Sequence, residues 1–261
     1  CNDDGELMLV SISNMSARRL LHASVLASAI ALQPRSEQLV VVKYGGHAMT
    51  DEAGFARDVV ALQQTSAVVV VHGGGPQIRR MLRRLGPGAT RDVVEVAEMV
   101  LGRIGKNLAA AIGAAGGRAV GLSGRDDGMM RMRQALDVDA TLLRALVGMD
   151  IVPVVAPLAV GDGTETVKLD ADTVAGTLAG ALNADALLLL TDVPGVLDEA
   201  GDVLSELSAK DAERLINDGT ITGGMAPKVA AAIDAIENGA KAAKIVDGRA
   251  SWLDARGTQI T

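Results

Sequence analysis

One pattern limits what this chain can fold into. A short, continuous apolar run stops at glycine or a polar residue, a helix-forming stretch follows, and the unit recurs along most of the length. The runs are Leu39–Val42, Ala67–Val71, Ile151–Val155 and Ala186–Leu190, and Ala243–Val246 reads as a late strand. Runs this short, unbroken and rich in branched residues read as strands buried on both faces. Asp51 or Thr50 caps a helix reaching about Gln64, and amphipathic helices follow over Pro76–Leu85 and about Arg91–Ala115. Further helices are expected over Leu142–Val147, Ala171–Leu182 and Ser208–Asn217, with Ser208 as cap, and one more opened by Gly223-Gly224. Strands at Arg118–Leu122 and Val167–Leu169, the latter after a turn at Gly161–Thr164, complete the reading. Strands alternating with helices in this way imply an α/β chain with a mainly parallel sheet covered on both faces.

In such sheets ligands sit beyond the carboxyl ends of the strands, so the residues just past each run matter most. After Val42 come Lys43-Tyr44-Gly45-Gly46, after Val71 His72-Gly73-Gly74-Gly75, and after Leu190 the stretch TDVPGVL. Paired glycines let backbone come close to a ligand and turn amide N–H groups toward an anion. The spacing fits neither the P-loop nor the dinucleotide fingerprint. The polar residues at strand ends and helix starts are Lys43, Asp172, Asp192 and Lys228. Two lysines, two acids and paired glycines suit phosphoryl transfer. Singly, each has a plainer explanation: Asp172 as an acid facing a helix dipole, Lys228 as a solvated lysine, His72 as a strand-end residue.

Composition narrows the partners. A net charge of −7 and an aromatic content of 1% disfavour a polyanion-binding surface or stacked bases, so no nucleic-acid partner is expected. No apolar run of about 18 residues occurs, so no membrane span is expected. The single cysteine, Cys1, excludes an internal disulfide and fits a reducing cytosol, and His22, His47 and His72 show no metal-ligand spacing. Residues 1–37 read as a tail and an alanine- and leucine-rich helix over Ala17–Leu32 that stops before Pro34. Residues 38–261 form the main domain, divided near Pro157–Thr164 into an N-lobe (38–157) and a C-lobe (158–261).

The motifs KYGGHAM, VVVHGGGPQI, VGLSG, IVPVVAP, ADTVAG, LLLLTDVPGVL, ITGGMAPKV and IVDGR occur in the order seen in acetylglutamate kinases of the amino acid kinase superfamily, and from Gln38 to Arg249 the chain resembles them. The resemblance implies a three-layer αβα sandwich with an open, mainly parallel sheet. It implies a cytoplasmic transferase of arginine biosynthesis that phosphorylates the side-chain carboxylate of N-acetyl-L-glutamate from Mg2+-ATP. Lys43 and Lys228 would neutralise the moving phosphoryl group and the leaving phosphate, and Asp172 would hold both ammonium groups. Gly45, Gly46, Gly74 and Gly75 would contact substrate in the N-lobe. Asp192, Val193, Pro194, Gly195, Val196, Leu197, Thr220, Ile221 and Thr222 would line the nucleotide site in the C-lobe. No protein ligand for the metal is expected, since Mg2+ often rests on phosphates and water. The implied assembly is a homodimer, or a hexamer through the N-terminal helix.

The chain departs from that family in places. Where members carry an arginine in G-L-R-V-T that clamps the substrate carboxylate, this chain reads GPGATRDVV, with Gly88 at the arginine position and Arg91 as a possible replacement. Lys168 stands where an asparagine normally contacts substrate. The segments between Arg133 and Asp137 and after IVDGR are shortened. These departures leave two alternatives: a kinase for carrier-protein-bound aminoadipate or glutamate, and a catalytically weak ATP-binding regulatory homologue.

Overall fold

The computed structural model describes residues 38–261 except 87, 89–92, 199 and 254. The expected helix over Ala17–Leu32, and Arg91, lie outside the described residues. Strand β1 (Leu39–Tyr44) leads through a glycine turn to α1 (Glu52–Leu62), β2 (Ala67–His72), α2 (Gly75–Leu85) and α3 (Val93–Ala114). Then come β3 (Ala119–Ser123), the short strands β4 (Met130–Met132) and β5 (Leu136–Val138), α4 (Thr141–Gly148), β6 (Val152–Ala156), and β7 (Leu158–Val160) with β8 (Thr166–Lys168). The remainder is α5 (Ala171–Leu182), β9 (Ala186–Thr191), β10 (Glu206–Leu207), α6 (Ala209–Asn217), α7 (Ala226–Glu237), β11 (Ala243–Asp247) and β12 (Gly257–Ile260).

Eight strands form the main sheet in the order β10-β12-β11-β9-β1-β2-β6-β3. Every pairing in it is parallel except β11 with β12. The strand β1 is central, between β2 and β9. A second sheet, ordered β5-β4-β7-β8, has four strands. Both faces of the main sheet are covered, giving three layers. Val41, Val69, Val71, Leu187 and Ile245 pack with residues of α4, α5 and α7 on one face. Val40, Val42, Val68, Val70 and Val154 pack with Phe55 and Val59 of α1 and Leu101, Leu108 and Ile112 of α3 on the other. Alternate residues of β1 therefore face different cores, which explains why its sequence shows no polar alternation.

The local start signals behave as read. Asp51 Oδ1 accepts from Gly54 N at 2.8 Å to cap α1, and Ser208 Oγ accepts from Asp211 N at 3.0 Å to cap α6. The turn after Val160 joins β7 and β8 as an antiparallel hairpin. The helix expected to open at Gly223-Gly224 begins slightly later, at Ala226. Strands β4, β5, β7, β10 and β12 escaped the sequence reading because segments of two to four residues cannot display a period.

Candidate active site

The strand β1 has period two, so Lys43 emerges on the face of Val41, toward α5, while Tyr44 turns to the opposite face and stacks on Phe55 with ring centroids 3.9 Å apart. Lys43 is 5% exposed, and its Nζ lies 2.9 Å from Asp172 Oδ1. Asp172 is the second residue of α5. The chain turns into that helix because Asp170 Oδ1 accepts from the backbone N–H of Asp172 at 2.9 Å and of Thr173 at 3.2 Å. From the other side Lys228 Nζ donates to Asp172 Oδ2 at 2.9 Å.

Lys228 reaches the acid because α5 and α7 cross closely. Gly176 makes that crossing possible: a Cβ there would stand 2.5 Å from the carbonyl oxygen of Ala231 on α7. Lys228 occupies the first turn of α7, where the helix dipole disfavours a cation. The helix gains nothing from it, which points to a purpose outside the helix. Asp172, by contrast, satisfies both readings at once, as a first-turn acid and as the bridge between two ammonium groups.

Burial alone would push the Asp172 carboxyl up, but Lys43 and Lys228 outweigh it and hold the group below the usual carboxylate range. For Lys43 burial is the largest influence and lowers it; Asp172 opposes that, and the Lys228 charge adds to it. The three side chains are thus interdependent: two ammonium groups with one carboxylate leave a net positive charge buried at the strand ends.

Two cavities meet at this cluster. The larger, about 460 Å³, is lined by Gly45, Thr191, Asp192, Val193, Gly195, Val196, Leu197, Thr220, Ile221, Thr222, Gly224 and Met225. The other, about 400 Å³, is lined by Lys43, Gly73, Gly74, Gly75, Arg79, Leu101, Lys168, Asp170 and Asp172, among others. Gly46 and Lys228 belong to both walls. Gly46 has φ +64°, a conformation that favours glycine. A Cβ on Gly45 would come within 3.1 Å of the Gly73 backbone, so the two glycine loops pack backbone against backbone.

Most residues singled out from the sequence are therefore brought together. Gly45 lines the larger cavity and Gly46 both, rather than grouping with Gly74 and Gly75, which line the smaller. Pro194 is exposed and does not line the larger cavity, although its neighbours do. Sequence reasoning missed Gly224, Met225, Asp170 and Arg79. The first two lie inside the GGMAPK motif and were within reach; Arg79 is one of several arginines on an otherwise ordinary amphipathic helix, with nothing local to single it out.

His72 is fully buried, with Nδ1 2.9 Å from the Gly73 carbonyl oxygen and Nε2 without a hydrogen-bond partner among the described residues. Burial drives its pKa down to about 4, and the contact to Gly73 only partly opposes it. The ring is neutral at physiological pH, donates from Nδ1, and pins the start of the second glycine loop.

Comparison with known proteins agrees with this architecture. Residues 38–247 match the model of the amino acid kinase family. The chain is 45% identical over 265 residues to an acetylglutamate kinase of Bradyrhizobium diazoefficiens, covering 87% of this chain and 90% of the relative. It is 46% identical over 265 residues to one from Rhodopseudomonas palustris, covering 87% and 89%. Among solved structures, carbamate kinase from Giardia lamblia bound to AMP-PNP shares the fold with a TM-score of 0.68 at 18% identity, over 85% of this chain and 98% of that one. With a mainly parallel αβα sandwich, a lysine–aspartate–lysine cluster at its strand ends and a family match across most of its length, the chain belongs to the amino acid kinase family and is similar to acetylglutamate kinases within it.

Proposed function

We propose that this chain transfers the γ-phosphoryl group of ATP to the side-chain carboxylate of N-acetyl-L-glutamate, a step of arginine biosynthesis. The observation that carries the reading is the pair of cavities sharing Lys228 and Gly46, with Lys43, Asp172 and Lys228 at their junction. The larger cavity, lined chiefly by residues between Thr191 and Lys228 together with Gly45 and Gly46, has the size of a nucleotide site, and the smaller, beside the Gly73–Gly75 loop, takes the acceptor. The similarity to acetylglutamate kinases over 87% of the chain favours this acceptor over one bound to a carrier protein.

A carboxylate is already ionised at neutral pH, so no general base is required. One of its oxygens forms a bond to the γ-phosphorus while the bond from that phosphorus to the bridging oxygen breaks, and the electron pair leaves with ADP. The obstacle is the approach of two anions and the charge spread over the transferring group, so catalysis is positioning and electrostatics. Lys43 and Lys228 supply fixed positive charge there, and Asp172 orients both. Mg2+ bound to the phosphates would supply further charge neutralisation. Both Asp172 oxygens already face ammonium groups, which fits an ion held by phosphate and water.

No helix among the described residues is long and apolar enough to cross a membrane. The exposed Val93, Val94 and Met99 of α3 support a homo-oligomer. Hydroxylamine trapping of the acyl phosphate tests the function: purified protein with Mg2+-ATP and N-acetylglutamate should form hydroxamate in proportion to ADP. Protein that binds ATP yet forms none would refute it.

A further inference from the structure

We infer that Arg79, with Lys168 on the wall of the same cavity, anchors the carboxylate of the acceptor that does not react, and so sets the preference for a dicarboxylate; the inference rests on the phosphoryl-transfer reading above. The wall of the 400 Å³ cavity carries four cations, Lys43, Arg79, Lys168 and Lys228, against two carboxylates, Asp170 and Asp172. Both carboxylates are committed. Asp172 takes the two buried lysines, and Asp170 takes the first amides of α5. Arg79 has no ion-pair or hydrogen-bond partner among the described residues, and Lys168 makes only a long contact of 3.4 Å to the carbonyl oxygen of Leu169. Among the described residues nothing neutralises these two positive groups of the cavity wall, which come besides the pair already assigned to the phosphoryl group.

The placement of Arg79 is physically informative. It is the fifth residue of α2, and helical side chains lean back over the preceding turn. Its guanidinium accordingly folds toward the glycine loop, with Nη1 3.3 Å from where a Cβ on Gly75 would stand. A residue with a side chain at Gly75 would crowd that route. The guanidinium thus lies near the positive end of the helix dipole, an unfavourable place for an unpaired cation and a favourable one for an anion held between them. A planar fork of donors beside amide N–H groups suits a carboxylate, which it can bind with two parallel hydrogen bonds. An acceptor with one carboxylate at Lys43 and Lys228 and a second at Arg79 and Lys168 uses every free charge in the cavity.

The test compares the parent with Arg79→Ala, Arg79→Lys and Lys168→Ala on two acceptors: N-acetylglutamate, and its analogue with the α-carboxylate replaced by a carboxamide. The parent should favour the dicarboxylate. Arg79→Ala should raise KM for N-acetylglutamate roughly tenfold to a hundredfold, leave KM for ATP nearly unchanged, and lose most of the preference over the amide. Arg79→Lys should recover part of it, an effect that general loosening of α2 would not produce. Lys168→Ala should lose a smaller part of the preference than Arg79→Ala. If Arg79→Ala keeps the parental preference, the role of Arg79 is refuted while the kinase reading stands. If the parent phosphorylates neither acceptor, the kinase reading fails and this inference falls with it.

Discussion

Replacing Asp172 by asparagine tests the central cluster most sharply, because it removes one charge and almost no volume. Asp172 lies 2.9 Å from each lysine nitrogen, and the side chains are only 6% (Lys43), 9% (Asp172) and 15% (Lys228) exposed. At that distance each pair attracts with about 6 kcal/mol before desolvation is counted, for an effective dielectric near 20. Removing one member of a buried pair typically costs about 3–5 kcal/mol, since the remaining charge is left uncompensated. Here Lys43 has an escape. Burial already lowers its pKa and Asp172 is what holds it up, so without the acid it loses its proton more readily and caps the loss of stability. The melting temperature should therefore fall by roughly 6–12 °C, taking about 3 kcal/mol for a chain of this size. Turnover should fall about a hundredfold or more through the loss of a preorganised charge. The sign of the pH effect follows: the active form carries a Lys43 ammonium, so the alkaline fall in kcat should move to lower pH in the mutant. Hydroxamate trapping from about pH 6 to about pH 9 reads this directly. A variant with turnover within about threefold of the parent and an unshifted alkaline limb would refute the idea that the acid organises the lysines, because either charge effect exceeds one kcal/mol.

Gly176→Ala should separate α5 from α7, since the new methyl group would meet the Ala231 carbonyl at 2.5 Å; we expect a stability loss of about 1–3 kcal/mol by denaturant titration and a larger loss in kcat than in ATP affinity. His72 should make the protein acid-sensitive. The unfolded chain takes up the proton as pH falls through 6.5 while the folded ring resists until about 4, so stability present above 6.5 is lost across that window, by about 3 kcal/mol. Urea unfolding at several pH values should show a shallower decline for His72→Gln than for the parent; equal slopes would sink the assignment. Phe55→Ala removes a buried ring stacked on Tyr44 and should cost about 3–5 kcal/mol by calorimetry. Because Tyr44 is flanked by Lys43 and Gly45, turnover should drop as well.

Much of this molecule was legible in its sequence because the informative features are local. The apolar runs, the caps at Asp51 and Ser208 and the glycine pairs each act within a few residues, and α5 has the bounds its composition predicts. Local sequence also showed that Lys43, Asp172 and Lys228 stand at element ends, where ligands bind. Composition and periodicity could not show that the three meet, which only the family resemblance implied. That depends on β1 lying beside β9, on the pleat sending Lys43 to the α5 face and Tyr44 to the other, and on Gly176 letting two helices touch. Pro194 and Arg79 mark the same boundary from opposite sides: the first lies in a motif yet faces solvent, the second lies in none yet lines the smaller cavity. Periodicity fixes which residues share a face of an element, but the direction that face takes is decided by packing between segments far apart in the chain, and only the tertiary structure carries that.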